Sequence, residues 1–397
     1  MSRIKIDKKA YFCTMAKQIL STGIQDFRDL RETNCIYVDK TELIYTLVTQ
    51  GKMYFLSRPR RFGKSLIVST LMELFKGSRE LFKDLWIENK WDWTKQSPII
   101  HISFSSVSYK NQSLEAGIRQ YLLKLFTKNK LEATEESDVG LLFANLIEQL
   151  HDKHGKVVIL IDEYDKPLID YLEFHKIEQA KVNQEILANF YAGLKDYGGF
   201  IRLLFITGVS KFTKVSLFSK LNNLTDLTVN PKFATLTGYT KEEVEHYFED
   251  YIQDTLVTLT KYNRAELLEE MRFWYNGYSW DGKTRMYNPY DILLFFFNQD
   301  FQSFWFQTGM PTFLVEKMLQ QNFYQIEDIE VNLNFLDEYS LDNLEITSLM
   351  FQGGYLTIKE KKEHGELVLS YPNQEVKDAL MFIHTKLSNK SKVFIMV

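Results

Sequence analysis

Short apolar runs recur through the first half of the chain and alternate with helix-like segments. They lie at residues 53–56, 98–104, 157–161 and 201–207, with a shorter one near 224–229. An apolar run without regular polar alternation is typical of a strand buried on both faces, as in a parallel sheet covered by helices. Strands that alternate with helices predict a three-layer parallel sheet with right-handed crossovers and a ligand at the carboxyl ends of the strands.

The second half of the chain is dominated by helical patterns. Before it, residues 183–197 read as a helix that Gly198 and Gly199 stop. Thr240 is a good N-cap for a helix over 241–252, a second helix is predicted over 265–274, and Asn288-Pro289 begins a third over 290–297. We expect these helices to form a lid on the ligand edge of the sheet. Further on, a β-like pair over 354–358 and 366–369 predicts a small α+β region.

A basic turn after the first apolar run carries the first chemistry-bearing motif. Residues 58–65 read RPRRFGKS, and apolar residues at helical spacing follow. A helix N-terminus attracts phosphate, Lys64 can reach the β- and γ-phosphate oxygens, and the Ser65 hydroxyl can bind Mg²⁺. The pattern G-x-x-x-x-G-K-[ST] has glycine where this chain has Arg58, and Pro59 favours extended geometry before it, so the loop must begin with another turn.

This motif predicts a nucleotide-binding loop. The residues expected at the nucleotide are Arg58, Pro59, Arg60, Arg61, Phe62, Gly63, Lys64, Ser65 and Leu66. The alternative is an ordinary basic turn in which Gly-Lys-Ser occurs by chance.

A second motif decides between these alternatives. Asp162 and Glu163 directly follow the apolar run over 157–161. Nucleotide hydrolysis needs a carboxylate at the Mg²⁺ and a group that orients or deprotonates the attacking water. We assign Asp162, with Ser65, to the metal, and Glu163 to the water; Lys64 completes the catalytic set. Both motifs in this order, with room for a βα unit between them, favour nucleotide binding over chance.

The run over 201–207 ends in polar residues. Thr207, Ser210 and Lys211 are candidates for a sensor of the γ-phosphate, because in P-loop proteins with a catalytic glutamate such a strand lies between the two motif strands. A plain loop after a core strand is the alternative.

Composition narrows the class of protein. The chain has 397 residues, 45% hydrophobic and 25% charged, as in ordinary globular proteins. Its net charge of −4 gives no global electrostatic footprint for nucleic acid and leaves a local patch open. Cys13 and Cys35 have neither metal-ligand nor disulfide spacing, and no apolar run approaches a membrane span, so we expect a cytoplasmic protein. Aromatic residues crowd the second half and predict a protein partner or self-association there.

With these motifs the chain resembles the AAA-ATPase-like family of P-loop proteins, which is related to the STAND ATPases and often fused to a PD-(D/E)XK nuclease-type domain. The matching stretches are GIQDFRDLRE, IYVDKTELI, YFLSRPRRFGKS, VVILIDEYDKP, FITGVSKF, NPKFATLTGYT, WYNGYSW, YNPYDILLFF, FWFQTGMPTFL, GGYLTI and YPNQEVK. The resemblance implies that Arg58 in place of glycine is a family habit, that ATP and Mg²⁺ are the cofactors, and that Lys211 is the sensor.

Together these observations predict five segments. They are an N-terminal extension over 1–22, a P-loop ATPase core over 23–236, a helical lid over 237–300, a C-terminal α+β region, winged-helix-like or linker, over 301–380, and a truncated tail over 381–397. The expected function is a slowly hydrolysing Mg-dependent ATPase that acts as a conformational switch. A non-hydrolysing interaction scaffold and the remnant ATPase half of an ATPase–nuclease fusion are the alternatives.

Nuclease activity is not expected from this sequence. Glu375-Val376-Lys377 and Glu360-Lys361-Lys362 match (D/E)xK, but no acid precedes them on a clear strand, and the twenty residues after Lys377 are too few for a nuclease core.

Overall fold

We analysed a computed structural model of the chain. It describes residues 17–135, 138–211, 223–304, 313–314, 317–318, 321, 323, 326–332, 341 and 344–381. Cys13, most of the predicted N-terminal extension and nearly all of the predicted tail lie outside these residues.

A five-stranded parallel sheet forms the centre of the fold, as the apolar runs predict. Its strands are β1 (Met53–Ser57), β2 (Ile99–Ser103), β3 (Val157–Asp162), β4 (Ile201–Gly208) and β5 (Thr225–Asp226), in the spatial order β2-β3-β4-β1-β5. All residues of β1 and β3 are buried, which explains why they contain no polar alternation, whereas the edge strand β2 alternates between buried and half-buried positions.

The strand order brings the two motif strands close together. β4 lies between β1 and β3, with Ser57 opposite Gly208 and Ile161 opposite Ile206. Because parallel strands end at the same edge of the sheet, the basic turn and the Asp162-Glu163 pair lie at one edge, on either side of the end of β4.

Helices cover both faces of the sheet. They are α1 (Phe27–Glu32), α2 (Thr41–Gln50), α3 (Lys64–Lys76), α4 (Leu114–Lys128), α5 (Val139–His154), α6 (Lys166–Ile169) and α7 (Ile177–Ala192). One buried cluster joins Leu47 and Leu71 to the strand residue Leu160, and another joins helix residues Leu142 and Leu187 to the opposite face. The predicted three-layer α/β class is confirmed.

One local prediction is corrected: the helix predicted over 183–197 is α7, which begins earlier and ends at Ala192. Two other local features were not predicted. Asp138 N-caps α5, and Ile19, in the expected extension, pairs with the segment around Cys35.

The helical lid contains α8 (Lys241–Tyr247), α9 (Glu249–Thr258), α10 (Arg264–Tyr275) and α11 (Pro289–Asn298). Thr240 and Asn263 form capping boxes, and Asn288 caps α11, so local polar side chains define where these helices begin. The helix predicted over 241–252 is split at Phe248, whose buried ring stacks on Phe296 of α11 at 5.3 Å between centroids.

The C-terminal region is α+β, as expected. It contains α12 (Ile346–Gly353) and a three-stranded antiparallel sheet in the order β6-β8-β7, made of β6 (Ile329–Asn332), β7 (Thr357–Lys361) and β8 (Glu366–Ser370). A further helix over 374–381, called here the C-terminal helix, follows β8. β6 was not predicted; its four residues alternate between half-buried and exposed positions, and only two of them are apolar.

Candidate functional site: a phosphate loop closed by the lid

The loop between β1 and α3 has the geometry of an anion cradle. Gly63 N-caps α3 with φ of 83°, and Arg61 also adopts a left-handed φ of 67°. No side chain caps the helix, so the N–H groups of its first turn remain available to an anion, and the helix dipole points at the same place. Arg60 and Arg61 are exposed beside this turn. The site therefore combines backbone donors with exposed positive charge.

Lys64 begins α3, and its ammonium group is hydrogen-bonded to carbonyl groups of its own loop. Its Nζ donates to the carbonyl oxygens of Arg58 at 3.0 Å and Pro59 at 2.8 Å. Burial lowers the pKa of the ammonium to about 8, and the charges of Asp162, Asp165 and Glu163 oppose that change. A phosphate oxygen could replace these two carbonyl acceptors and would strengthen the charged form of the lysine.

The paired acids occupy different environments at the end of β3. The Asp162 Oδ1 accepts a hydrogen bond from the Glu163 N–H at 3.0 Å. Glu163 has a φ of 51°, and its Oε2 accepts a hydrogen bond from the hydroxyl of Ser105, which follows β2. Burial and the charge of Asp162 raise the pKa of Glu163. A carboxylate held by a neighbouring hydroxyl and less acidic than usual is suited to accept a proton.

Asp165 is a site residue that the sequence reasoning missed. Its Oδ2 accepts hydrogen bonds from the N–H groups of Val209 at 2.9 Å and Ser210 at 2.6 Å, and from the Ser210 hydroxyl at 2.6 Å. The buried acid thereby ties the loop after β4 to the segment after β3. The signal in the sequence is a third acid at position 165, three residues after Asp162, for which the Asp162-Glu163 motif has no role.

The three sensor candidates are each held by other partners in this structure. The Thr207 hydroxyl donates to the Leu56 carbonyl at 3.0 Å and lies inside the sheet, which corrects its proposed orientation towards the γ-phosphate. The Ser210 hydroxyl is bound to Asp165, and the Lys211 ammonium lies 2.7 Å from Asp226. The sensor role of Ser210 and Lys211 stays a prediction that requires these contacts to break.

A cleft of about 550 Å³ connects the phosphate loop with the lid. Residues 60–67 line its floor, Glu163, Asp165 and Lys166 line one side, and Thr237, Gly238, Tyr239, Pro289, Tyr290 and Leu293 line the lid side. Apolar residues also line the cleft, namely Ile24, Ile36, Val38 and Leu236, and they are called here its apolar end. Apolar walls beside placed polar groups are typical of a small-molecule site.

The apolar end was not identified from the sequence, because its residues come from separate segments.

A part-buried ion pair joins the lid to the core beside the cleft: the Lys40 ammonium lies 2.5 Å and 2.7 Å from the two Glu243 oxygens. Lys40 precedes α2 and Glu243 belongs to the capping box of α8. This contact fixes the lid's first helix to the core next to the cleft.

Arg58 and Pro59 do not face the cleft, which corrects their predicted place at the nucleotide. The Arg58 guanidinium is 1% exposed, donates to the carbonyls of Ser57 at 2.9 Å and Thr228 at 2.7 Å, and lies 4.1 Å from the Trp280 ring centroid. Burial lowers its pKa to about 9. Pro59 packs on Gly354, where an added Cβ would lie 2.9 Å from the proline ring. Arg58 therefore packs the loop against the segment after β5, and Pro59 packs it against the C-terminal region.

Arg58→Gly, which restores the usual glycine of the motif, should destabilise this protein. Removing the buried guanidinium leaves the Thr228 carbonyl without its donor and removes the contact with Trp280, so we expect a loss of about 3 kcal/mol in the free energy of unfolding. Chemical denaturation measures it. Arg60→Gly in the same loop, where the side chain is exposed, is the matched control and should cost far less; equal losses would contradict the bracing role.

Comparison with known proteins agrees with the geometry. The family model for AAA-ATPase-like proteins, described as predicted AAA-ATPase, matches residues 21–218. An uncharacterized protein encoded in the vnfD 5' region of Azotobacter chroococcum mcd 1 is 40% identical over 374 residues, which are 92% of this chain and 70% of that protein. The chain belongs to the AAA-ATPase-like family. Its P-loop fold therefore supports a nucleotide-binding ATPase at a general level, and the family usually binds Mg²⁺ with the nucleotide.

Two solved structures resemble this AAA-ATPase-like protein. A Walker-type ATPase of Pyrococcus abyssi has 12% identity and a TM-score of 0.43, with 88% of this chain and 97% of that chain covered. The ORC2 protein of Aeropyrum pernix, solved with ADPNP and ADP, has 8% identity and a TM-score of 0.36, with 89% and 94% covered.

Two features are absent from the described part of this AAA-ATPase-like chain. None of its helices is long and apolar enough to cross a membrane. Among the same residues, no group of three or more His, Cys, Asp or Glu side chains is placed to hold a metal ion by itself.

Proposed function

We propose that this protein is a Mg-dependent, slowly hydrolysing ATPase that works as a conformational switch. The observation that carries the proposal is the shared cleft: the helix N-terminus at Gly63, the carboxylate of Glu163 and the lid residue Tyr290 all line one cavity. A triphosphate bound by the first would place its terminal phosphate near the second and beneath the third.

The residues around the loop suit a magnesium nucleotide. A hydroxyl at Ser65 and a carboxylate at Asp162 are oxygen donors, which Mg²⁺ prefers, and a nucleotide site usually supplies the remaining ligands from phosphate and water. Mg²⁺ bound there would neutralise the charge that develops on the phosphates.

The proposed chemistry is attack of water on the γ-phosphorus, with cleavage of the bond to the β–γ bridging oxygen. Glu163 orients the water and takes its proton, while Ser105 holds the glutamate in place. Lys64 leaves its carbonyl partners and neutralises the phosphate oxygens. Because the Lys64 ammonium has carbonyl partners in the present structure, turnover requires it to rearrange, which supports slow hydrolysis.

The switch consists of the lid closing on the core when the triphosphate is bound. The lid reaches the cleft through Tyr290, whose ring the Arg61 guanidinium covers at 3.6 Å, and it is fastened by Lys40 to Glu243. An anion near Arg61 would compete with the ring for the guanidinium. The position of α11 would then depend on the phosphates. The segment boundaries predicted from the sequence, and a cytoplasmic location, remain part of this proposal.

The aromatic residues of the second half do not support a partner surface as strongly as the sequence suggested. Phe295, Phe296 and Phe304 are buried in the lid core, whereas Phe273 and Phe297 are exposed. Trp305 and Phe306 lie outside the described residues. No contact of the described residues supports nucleic acid as a partner.

The (D/E)xK triplets remain poor candidates for a nuclease site. Glu375 and Lys377 lie on the C-terminal helix, whereas a nuclease triplet belongs on a strand, and the Lys377 ammonium contacts the Glu327 carboxylate at 3.2 Å. Lys362 is paired with Glu330 at 2.5 Å. The helical placement counts against the Glu375-Lys377 triplet, whereas Glu360 and Lys361 lie on β7, so the expectation that the chain does not cut nucleic acid stays a prediction.

Thermal unfolding with nucleotides tests the proposal directly. MgATP at about one hundred times its dissociation constant should stabilise the protein by about 2.7 kcal/mol. Omitting Mg²⁺ should reduce the effect, and MgGTP in a competition series measures base preference, for which the apolar end of the cleft offers no specific donor to argue from. If neither triphosphate shifts the unfolding midpoint, nucleotide binding is wrong for this protein.

A further inference from the structure

A pair of buried acids connects the lid with the C-terminal helix and has no part in the mechanism above. Asp291 lies in the first turn of α11, and Glu375 lies near the start of the C-terminal helix. Both side chains are 0% exposed, and the two residues are 84 positions apart in the sequence. Two acids without solvent are costly to bury as anions, so their arrangement needs a physical explanation.

Among the described residues no hydrogen-bond donor reaches either oxygen of Asp291, and the group that acts on it there is the neighbouring Glu375 carboxyl. An ionised carboxyl group can only accept hydrogen bonds, so a bond between two of them requires a proton on one oxygen. Burial, reinforced by the neighbouring Glu375 charge, raises the pKa of Asp291 well above its usual range. Like-charged carboxylates in one buried site share a proton for the same reason in other proteins.

The surroundings favour this protonated state. The titratable groups that face the pair are the phenols of Tyr275 and Tyr278, whose pKa values are raised by burial and by the two acids, so they stay neutral. The cation that opposes protonation is Arg61, whose charge lowers the pKa of Asp291. Arg61 is exposed and lies over Tyr290 in the phosphate loop, so its charge is shared with solvent and with the cleft.

The pair is linked to the nucleotide cleft through one helix turn. Tyr290, next to Asp291, lines the cleft and stacks under Arg61, while Pro289 lines the cleft beside it. On the other side, the segment before the C-terminal helix packs against the lid, because a Cβ on Gly277 would lie 1.9 Å from the Pro372 oxygen. Any movement of α11 towards the nucleotide must therefore strain or carry the acid pair.

We propose that Asp291 and Glu375 hold one proton between them, and that this proton fixes the C-terminal helix to the lid and makes lid closure over the cleft depend on pH. Loss of the proton would place two buried anions against each other and push the C-terminal helix away from α11. The proton-holding pair stands by itself; its effect on closure rests on the proposed function.

The sign of the pH effect follows from proton linkage. A carboxyl group with a raised pKa binds a proton in the folded protein that it does not bind in the unfolded chain. Stability contributed by the pair is therefore complete at acidic pH and is lost as the pH rises from the ordinary carboxyl range, about 4, through the raised pKa. Glu375→Gln and Asp291→Asn each replace the shared proton by a permanent amide donor, so the pair's contribution should no longer change with pH.

Infrared spectroscopy on the full chain tests the proton itself. At neutral pH the wild type should show absorption of a protonated carboxyl group, and both Glu375→Gln and Asp291→Asn should remove one carboxyl's intensity. The matched control is Glu366→Gln, which changes an exposed acid at the start of β8. It should leave the absorption of the protonated carboxyl group unchanged. An unchanged band in both pair variants would overturn the proposal; if one variant fails to fold, the other still decides.

Nucleotide affinity as a function of pH tests the coupling. Between pH 5 and 9 the change in MgATP affinity of the wild type should differ on the order of fivefold from that of either pair variant, and comparing the three removes the titration of Lys64, which all of them share. If MgATP binds equally and with one pH profile in all three, the coupling is wrong while the proposed function stands. If none binds, the proposed function fails, and the infrared result still decides whether the proton is present.

Discussion

Lys64→Ala is expected to abolish nucleotide binding while leaving the fold intact. The side chain supplies a buried ammonium inside the loop, and the other buried cation of the loop, Arg58, is held by Thr228 and Trp280 and cannot replace it. The stabilisation of about 2.7 kcal/mol given by MgATP at about a hundredfold excess over the dissociation constant should disappear. Fluorescent-nucleotide titration and thermal unfolding measure the two effects.

Lys76→Ala is the matched control for this experiment. Lys76 ends the same helix, contacts Glu73 and is far more exposed, so its removal should leave nucleotide affinity unchanged. Retained affinity in Lys64→Ala would remove the phosphate loop from the proposal and favour the ordinary basic turn that the sequence left as an alternative.

The same lysine gives nucleotide binding a pH dependence. Because burial lowers the pKa of Lys64 to about 8, its ammonium loses its proton at pH values where exposed lysines keep theirs. Affinity for MgATP should fall as the pH rises through 8, and binding above that pH should take up protons, since the phosphate favours the charged form. Isothermal titration in buffers of different ionisation enthalpy measures the proton uptake.

Glu163→Gln should retain nucleotide binding and lose hydrolysis. The amide keeps the size of the side chain and can still contact Ser105, but it cannot accept a proton from water, so kcat should fall by about 10² to 10⁴-fold. Phosphate release under saturating MgATP gives the rate, and the fluorescent-nucleotide titration gives the affinity.

Two further variants sharpen this experiment. Glu178→Gln, an exposed acid on α7 paired with Lys181, should leave both quantities unchanged. Ser105→Ala should lower kcat by less than Glu163→Gln, because it removes only the group that orients the glutamate. Binding without phosphate release in the wild type, unchanged by Glu163→Gln, would favour the interaction scaffold over the ATPase.

Local sequence signals determined the architecture. The apolar runs of β1, β3 and β4 predicted buried parallel strands because a strand covered on both faces has no solvent side to mark with polar residues. Thr240 and Asn288 marked helix starts because a cap acts on backbone groups within three residues of itself. Gly63, Lys64 and Ser65 could be assigned to a phosphate loop because strand, turn and helix are contiguous in the chain.

Tertiary structure decided which side chains face the cleft. Arg58 was expected at the phosphate but binds Thr228, 170 positions away, and Ser105 reaches Glu163 across 58 positions. Asp291 and Glu375 meet only because the C-terminal helix docks on the lid. Such contacts depend on how separate elements pack. Within one segment, the same arginine or acid reads equally well as a ligand, a brace or a solvated charge, and only burial and the partner distinguish these roles.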